Sequence, residues 1–213
     1  MAWTRRKVLT SGALGAAAFA AGAWSSSRPA LSAGQQPEKA AAPPILGDAM
    51  APGRFVVWGS LTCPFTAQLY EILRPIVHDM PKAAGVEWRH FPTHAPDPAL
   101  HVAALGFEGE HFWGFTTSIL REVLSRGGIY QGLTPEKLAE FAIAEGGSQG
   151  TLDAAYADPS KWAAVKEDLL AGNLLGVAIT PGLFYQGHFL TPQGMPQDGK
   201  AFDAALRAML QHS

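Results

Sequence analysis

A single cysteine, Cys63, stands in a chain of 213 residues, so no internal disulfide can form. Any exchange at this thiol must take its second sulfur from another molecule. Charge is also sparse: Asp, Glu, Lys and Arg make up 16% of the chain and the formal net charge is −2, which argues against a nucleic-acid partner. One string, Gly146 to Gly150, has the Gly-x-Ser-x-Gly spacing but no strand before it, so it is no nucleophile elbow, and no carboxylate pair stands out for glycoside chemistry. Gly146-Gly147-Ser148-Gln149-Gly150 shares the composition of a phosphate loop. It lacks a preceding strand and a following Lys-Ser/Thr, so it reads as a turn between helices.

The beginning reads as an address. Thr4-Arg5-Arg6-Lys7-Val8-Leu9 is a twin-arginine pattern, followed by a mildly apolar Ala/Gly-rich stretch. The expectation is a twin-arginine signal peptide over 1–33, with cleavage near Ala23 or near Ser32 and Ala33, and a periplasmic or other extracytoplasmic location. An uncleaved anchor or a basic tail is the alternative. Residues 34–52, rich in Ala, Pro and Gln, read as a flexible leader. Residues 1–33 hold Arg5, Arg6, Lys7 and Arg28 and no acid, so without them 12 bases face 18 acids, a net charge near −6. No later stretch is apolar for long enough to span a bilayer, so the mature form is expected to have no stable membrane span.

Periodicity organises the remainder as one α/β unit. Arg54 to Gly59 is an apolar, β-branched and aromatic run expected as a buried strand. After Cys63 the period changes: Leu69, Ile72, Leu73, Ile76, Val77 and Met80 mark one face of a helix that Pro75 is expected to kink. Val86 to Phe91 is a second strand, giving a parallel βαβ unit. From 98 to 174 the pattern is helical, with segments at 98–107, 110–126, 134–145, 151–156 and 159–172. Thr134-Pro135 and Asp158-Pro159 serve as N-terminal signals there. Val177 to Tyr185 reads as a strand interrupted by Pro181, followed by a hairpin into His188-Phe189-Leu190 and an amphipathic helix around Phe202 to Leu210.

Cys63 therefore falls at a strand-to-helix junction, where the helix dipole and unpaired N–H groups favour thiolate. Thr66, one turn on, has a hydroxyl that can donate to that thiolate. The bland alternative is a small buried residue with an inert S–H. His90, His94 and His101 are the densest histidine group. Their spacing does not imply convergence on a metal, and they read as surface and interface residues. Trp58, Trp88, Phe112, Trp113, Phe115 and Phe184 read as core, with some of them possible groove lining, and His188 as a polar strand residue.

Four segments, taken in order, carry a resemblance: Cys63-Pro64-Phe65-Thr66 after a strand, Arg89-His90-Phe91-Pro92 ending the next, Phe112-Trp113 among the helices, and Val177-Ala178-Ile179-Thr180-Pro181 before the hairpin. Over residues 53–212 the chain resembles the DsbA-like branch of the thioredoxin superfamily. The resemblance implies a thioredoxin fold, 53–97 and 175–213, with an inserted helical domain, 98–174. It implies that Pro181 follows a cis peptide bond facing Cys63, and that Thr180, Pro181, Pro64 and Phe65 form the substrate surface. Three departures stand out. Thr66 replaces the usual second cysteine, Ile179 stands where glycine is common, and Gly182 where a larger residue is usual, the last two suggesting a changed substrate surface.

The expected function is thiol-disulfide exchange by a single nucleophile, Cys63, assisted by Thr66. Its partners would be cysteine-containing exported proteins or low-molecular-weight thiols, and no cofactor or metal is called for. Two rivals are a redox-inactive binding or chaperone-like protein with the same groove, and a glutathione-linked transferase or isomerase of kappa type.

Overall fold

The computed structural model describes residues 42–128, 130–190 and 198–211. The expected signal over 1–33 lies outside them, as do residues 34–41 of the expected leader.

The core of the sheet is β2, Gly53–Gly59, whose Val, Phe and Trp residues suit a buried pleat. It pairs in parallel with β3, Ala84–His90, through α1, Pro64–Asp79, as the βαβ pattern predicts. Pro75 lies inside α1, and the helix runs on past it to Asp79. Leu69, Tyr70, Leu73, Ile76 and Val77 form the buried face of α1 against Phe55, Val86 and Trp88 of the sheet. Burying side chains of this size stabilises by about 1.5–3 kcal/mol each before entropy is charged against it.

β4, Gly182–Tyr185, pairs antiparallel with the other edge of β2, and β5, His188–Phe189, closes the hairpin. The expected strand from Val177 is shorter than its apolar pattern suggested, because Val177–Pro181 forms a loop that turns across the thiol. A further strand, β1, Ile45–Gly47, lies antiparallel on β3 and completes the order β1-β3-β2-β4-β5. Within the expected flexible leader, 34–52, it places an ordered strand at Ile45–Gly47. Three residues carry too little pattern to announce a strand, and β1 forms because β3 offers it an open edge. The Pro44 carbonyl accepts the Trp88 N–H at 2.9 Å, and an Arg54 guanidinium N–H donates to the Ala49 carbonyl.

Between β3 and β4 come five helices, α2 Asp97–Ala104, α3 Gly109–Ser125, α4 Pro135–Ala144, α5 Gln149–Ala157 and α6 Pro159–Leu174, with a 3₁₀ turn at Tyr130–Gly132. α7, Gly199–Gln211, follows the hairpin. Thr134 and Asp158 cap their helices as their sequences imply, accepting from the N–H groups of Lys137 and Ser160. The glycine-rich stretch at 146–150 is a helix-to-helix turn closed by a Ser148–Thr151 capping box.

Two contacts fasten the helices to the sheet near the thiol. Asp168 on α6 accepts from the His90 N–H at 2.9 Å and from Arg89 at 3.1 Å. Gly172 of α6 is buried against the sheet so closely that a β-carbon there would stand 2.7 Å from Trp58 and 2.8 Å from Phe91.

Candidate active site

Cys63 is the N-cap of α1, in extended backbone conformation with φ −90° and ψ 119°. Pro64 occupies the first turn, where its missing N–H costs nothing. The thiol is 7% exposed and Sγ lies 3.4 Å from the Thr180 carbonyl oxygen, to which the S–H donates. Thr180–Pro181 is a cis peptide, so the loop that ends at β4 presents this carbonyl to the sulfur. Cys63, Thr180 and Pro181 thus come together, an arrangement that the resemblance implied.

The expected help from Thr66 is not formed. Its side chain is fully buried and its hydroxyl has no hydrogen-bond partner among the described residues. Nor does the Cys63 side chain take a capping hydrogen bond from the helix N–H groups. The Cys63–Thr180 bond needs the S–H as donor, since a carbonyl oxygen cannot donate.

Around the thiol the surface is apolar and open. Phe65 is 65% exposed and Ile179 60%, each beside one member of the Cys63–Thr180 pair. The Thr180 N–H has no partner among the described residues, which leaves it available to an incoming chain. Gly182, expected to alter the substrate surface, is buried instead. A β-carbon there would come within 2.9 Å of Val177, so the glycine lets β4 start tight against the loop. On the helical side, Gly128 packs on the Pro64 ring.

Beneath the turn runs a polar network that sequence reasoning missed. The Asp97 carboxylate accepts the backbone N–H groups of Leu61 and Thr93, each at 2.9 Å. Burial pushes its carboxyl up, opposed by the hydrogen bonds from Ser60, Thr93 and Leu61 and by nearby His94. Thr62 Oγ1 lies 2.7 Å from His94 Nδ1, and Thr93 Oγ1 donates to Ser60 Oγ at 3.0 Å. The one sequence hint was Asp97-Pro98 opening a helix.

The three histidines do not converge. His90 and His101, expected at a surface or interface, are buried with Nδ1 atoms 2.8 Å apart, one donating to the other. Burial holds His101 down to about 3 and, with the neighbouring His101 and Arg89, holds His90 well below its ordinary value. Among the described residues no group of three or more His, Cys, Asp or Glu is arranged to hold a metal ion. The six aromatic residues read as core are all buried, and His188 lies exposed on β5. A groove of about 1170 Å³ runs past Leu46, Tyr70, Arg74 and Trp113, and none of its lining residues belongs to the thiol turn or the Thr180 loop. Exposed apolar side chains, rather than a cavity, mark the thiol.

The architecture has known counterparts. The thiol-disulfide exchange protein α-DsbA2 from Wolbachia pipientis superposes with a TM-score of 0.66 at 14% identity, over 80% of this chain and 86% of its own. BdbD from Bacillus subtilis gives 0.65 at 16% identity, over 79% of this chain and 93% of its own. A protein-disulfide isomerase from Novosphingobium aromaticivorans gives 0.64 at 18% identity, over 79% and 98%. The chain has the DsbA-like thioredoxin fold. No protein-family model and no curated protein matches it. Within the DsbA-like fold, the strand-to-helix turn and the cis-proline loop place Cys63 and Thr180 face to face.

Proposed function

We propose that this protein is an exported thiol-disulfide exchange protein that works with one cysteine. The observation that carries the reading is the pairing of Cys63 with the Thr180–Pro181 loop while Thr66, which holds no thiol, fills the next turn. The superposed proteins include a thiol-disulfide exchange protein and a protein-disulfide isomerase, which supports the same chemistry.

In the proposed step the Cys63 thiolate attacks one sulfur of a substrate disulfide. That S–S bond breaks, a new one forms to Cys63, and the released sulfur leaves as thiolate and takes up a proton. The thiol proton of Cys63 must leave first, along with its bond to Thr180. The mixed disulfide is then cleared by the substrate's other cysteine or by a small thiol, which amounts to isomerisation or reduction. Autonomous dithiol oxidation is outside its reach. Phe65, Pro64, Thr180 and Pro181 hold the substrate chain, through apolar contact and the free Thr180 N–H. Among the described residues no helix is long and apolar enough to cross a membrane.

Trapping of mixed disulfides in the extracytoplasmic fraction tests the reading. Wild type is expected to yield partners that reduction releases and that Cys63→Ser loses. The exposed Phe65 and Ile179 favour one second reading, a binding module without turnover. Partners retained by Cys63→Ser would replace the first reading with the second.

A further inference from the structure

The thiol turn carries a device that the exchange reading does not use. Sγ receives no hydrogen bond from a donor, and no Lys or Arg is ion-paired or hydrogen-bonded to residues 60–66 among the described residues. What does touch the turn is an imidazole. We propose that His94 is a positioning residue for Cys63, acting through Thr62 to set the charge beside the thiol and so its reactivity. The inference rests on the exchange reading for its purpose but not for its test.

The contact works in either direction, according to where the imidazole carries its proton. Ser60 Oγ accepts from the Thr62 N–H at 3.3 Å and from the Thr93 hydroxyl at 3.0 Å, and it lies 3.1 Å from Thr62 Oγ1 as a second place for the Thr62 hydroxyl hydrogen. With Nδ1 unprotonated, the Thr62 hydroxyl donates to it across 2.7 Å. When the imidazole is charged, Nδ1–H donates to Thr62 Oγ1 instead, with Thr93 Oγ1 as a second acceptor at 3.1 Å. Either charge state keeps the contact, so protonation brings a cation to the residue preceding Cys63 without dismantling the turn.

The imidazole is also held from its other side. The Tyr130 ring of the 3₁₀ turn packs on it with centroids 5.2 Å apart. The titratable groups facing His94 are Asp97 from α2, Tyr130 from the 3₁₀ turn and Cys63 beyond Thr62. Asp97 is already engaged by Leu61, Thr93 and Ser60. A cation close to a thiol favours its thiolate, and histidine is the side chain that ordinarily gains that charge between about pH 5 and 8.

The test is the pH dependence of Cys63 alkylation by iodoacetamide in the full chain, followed by intact mass. The thiolate displaces iodide, a C–S bond forms, and no disulfide partner is involved. Wild type is expected to show a shoulder, set by the imidazole, before the final rise. His94→Asn keeps a hydrogen-bonding atom near Nδ1 but cannot ionise. It is expected to lose the shoulder and to react about tenfold more slowly at low pH. His94→Gln serves if the Asn variant fails to melt cooperatively. Superimposable profiles for wild type and variant overturn the proposal, as does a folded chain that iodoacetamide never modifies. A shoulder in a protein that traps no mixed disulfides leaves His94 in its role and removes the exchange reading instead.

Discussion

Asp97 accepts the backbone N–H of Leu61 from 36 residues along the chain, at 2.9 Å, and so fixes the segment that leads into the thiol. The same carboxylate takes the Thr93 N–H at 2.9 Å, so one buried side chain joins the end of β2 to the loop after β3.

Asp97→Ala leaves the buried Leu61 N–H and the less buried Thr93 N–H without their acceptor and is expected to cost about 1–3 kcal/mol, read as a lower midpoint in urea. The pH response has a definite sign. Burial raises the Asp97 carboxyl in the folded state, so its contribution is complete below the ordinary carboxylate range and is lost as pH rises through the raised value. Wild type is therefore expected to gain stability relative to Asp97→Asn as the pH is lowered from about 7 to about 4. A difference that stays constant over that range would falsify the assignment.

His101 gives the opposite slope. Burial holds it down to about 3, so its contribution is present above the ordinary histidine range and is lost as pH falls from there toward about 3. Between these limits the unfolded chain binds one more proton, worth about 1.4 kcal/mol per pH unit. His101→Phe is expected to lower the slope of stability against pH by about that amount, measured by chemical denaturation near pH 4 to 6. An unchanged slope assigns the acid sensitivity to other groups.

The Thr66 hydroxyl is buried without a partner among the described residues, so removing it should not harm the fold. Thr66→Val keeps the shape and is expected to be more stable by up to about 1 kcal/mol. Its Cys63 alkylation rate should match wild type, because no bond joins Thr66 to the sulfur. A large fall in rate would restore Thr66 to a role at the thiol.

Thr66→Cys places a second thiol one turn from the first. Under the exchange reading, mixed disulfides on Cys63 become short-lived, because the new thiol displaces the substrate. Trapped partners should fall in yield, and the internal disulfide formed when the new thiol clears a mixed disulfide should oxidise one equivalent of a dithiol peptide, returning both thiols. Undiminished trapping would place position 66 out of reach of Cys63.

Gly172→Ala weighs two effects. Alanine gains about 1 kcal/mol in helix propensity, while crowding Trp58 and Phe91 costs about 1–3 kcal/mol. With approaches of 2.7 and 2.8 Å to ring atoms, crowding wins, and a net loss of about 1–2 kcal/mol in thermal or urea melts is expected. A gain would mean that α6 moves freely off the sheet.

What was legible in the chain was what lies close together in it. The apolar run into β2, the helical period after Cys63 and the Thr134 and Asp158 caps each depend on neighbours a few residues away. The Cys63–Thr180 pairing is long-range, and it was anticipated only because a family pattern supplied it. β1 was missed because its pairing with β3 decides it, not its own three residues. The Asp97 network was missed because its partners come from Ser60, Leu61 and Thr93. The buried His90–His101 pair joins a strand to a helix, and nothing in the spacing distinguishes it from two exposed residues. The idle hydroxyl of Thr66 was read in the wrong role because a hydroxyl's direction is settled by packing, not by its place in a turn.

The sulfur and the carbonyl that faces it are 117 residues apart, and the strand following that carbonyl is among the last elements of the chain. Contacts of such separation form slowly, because the intervening chain must be ordered first. Until β4 docks, Cys63 is a thiol without its facing wall, open to any oxidant in its surroundings. An adduct acquired early would occupy the space the Thr180 loop must enter, so capture of a sulfur and completion of the fold compete in time.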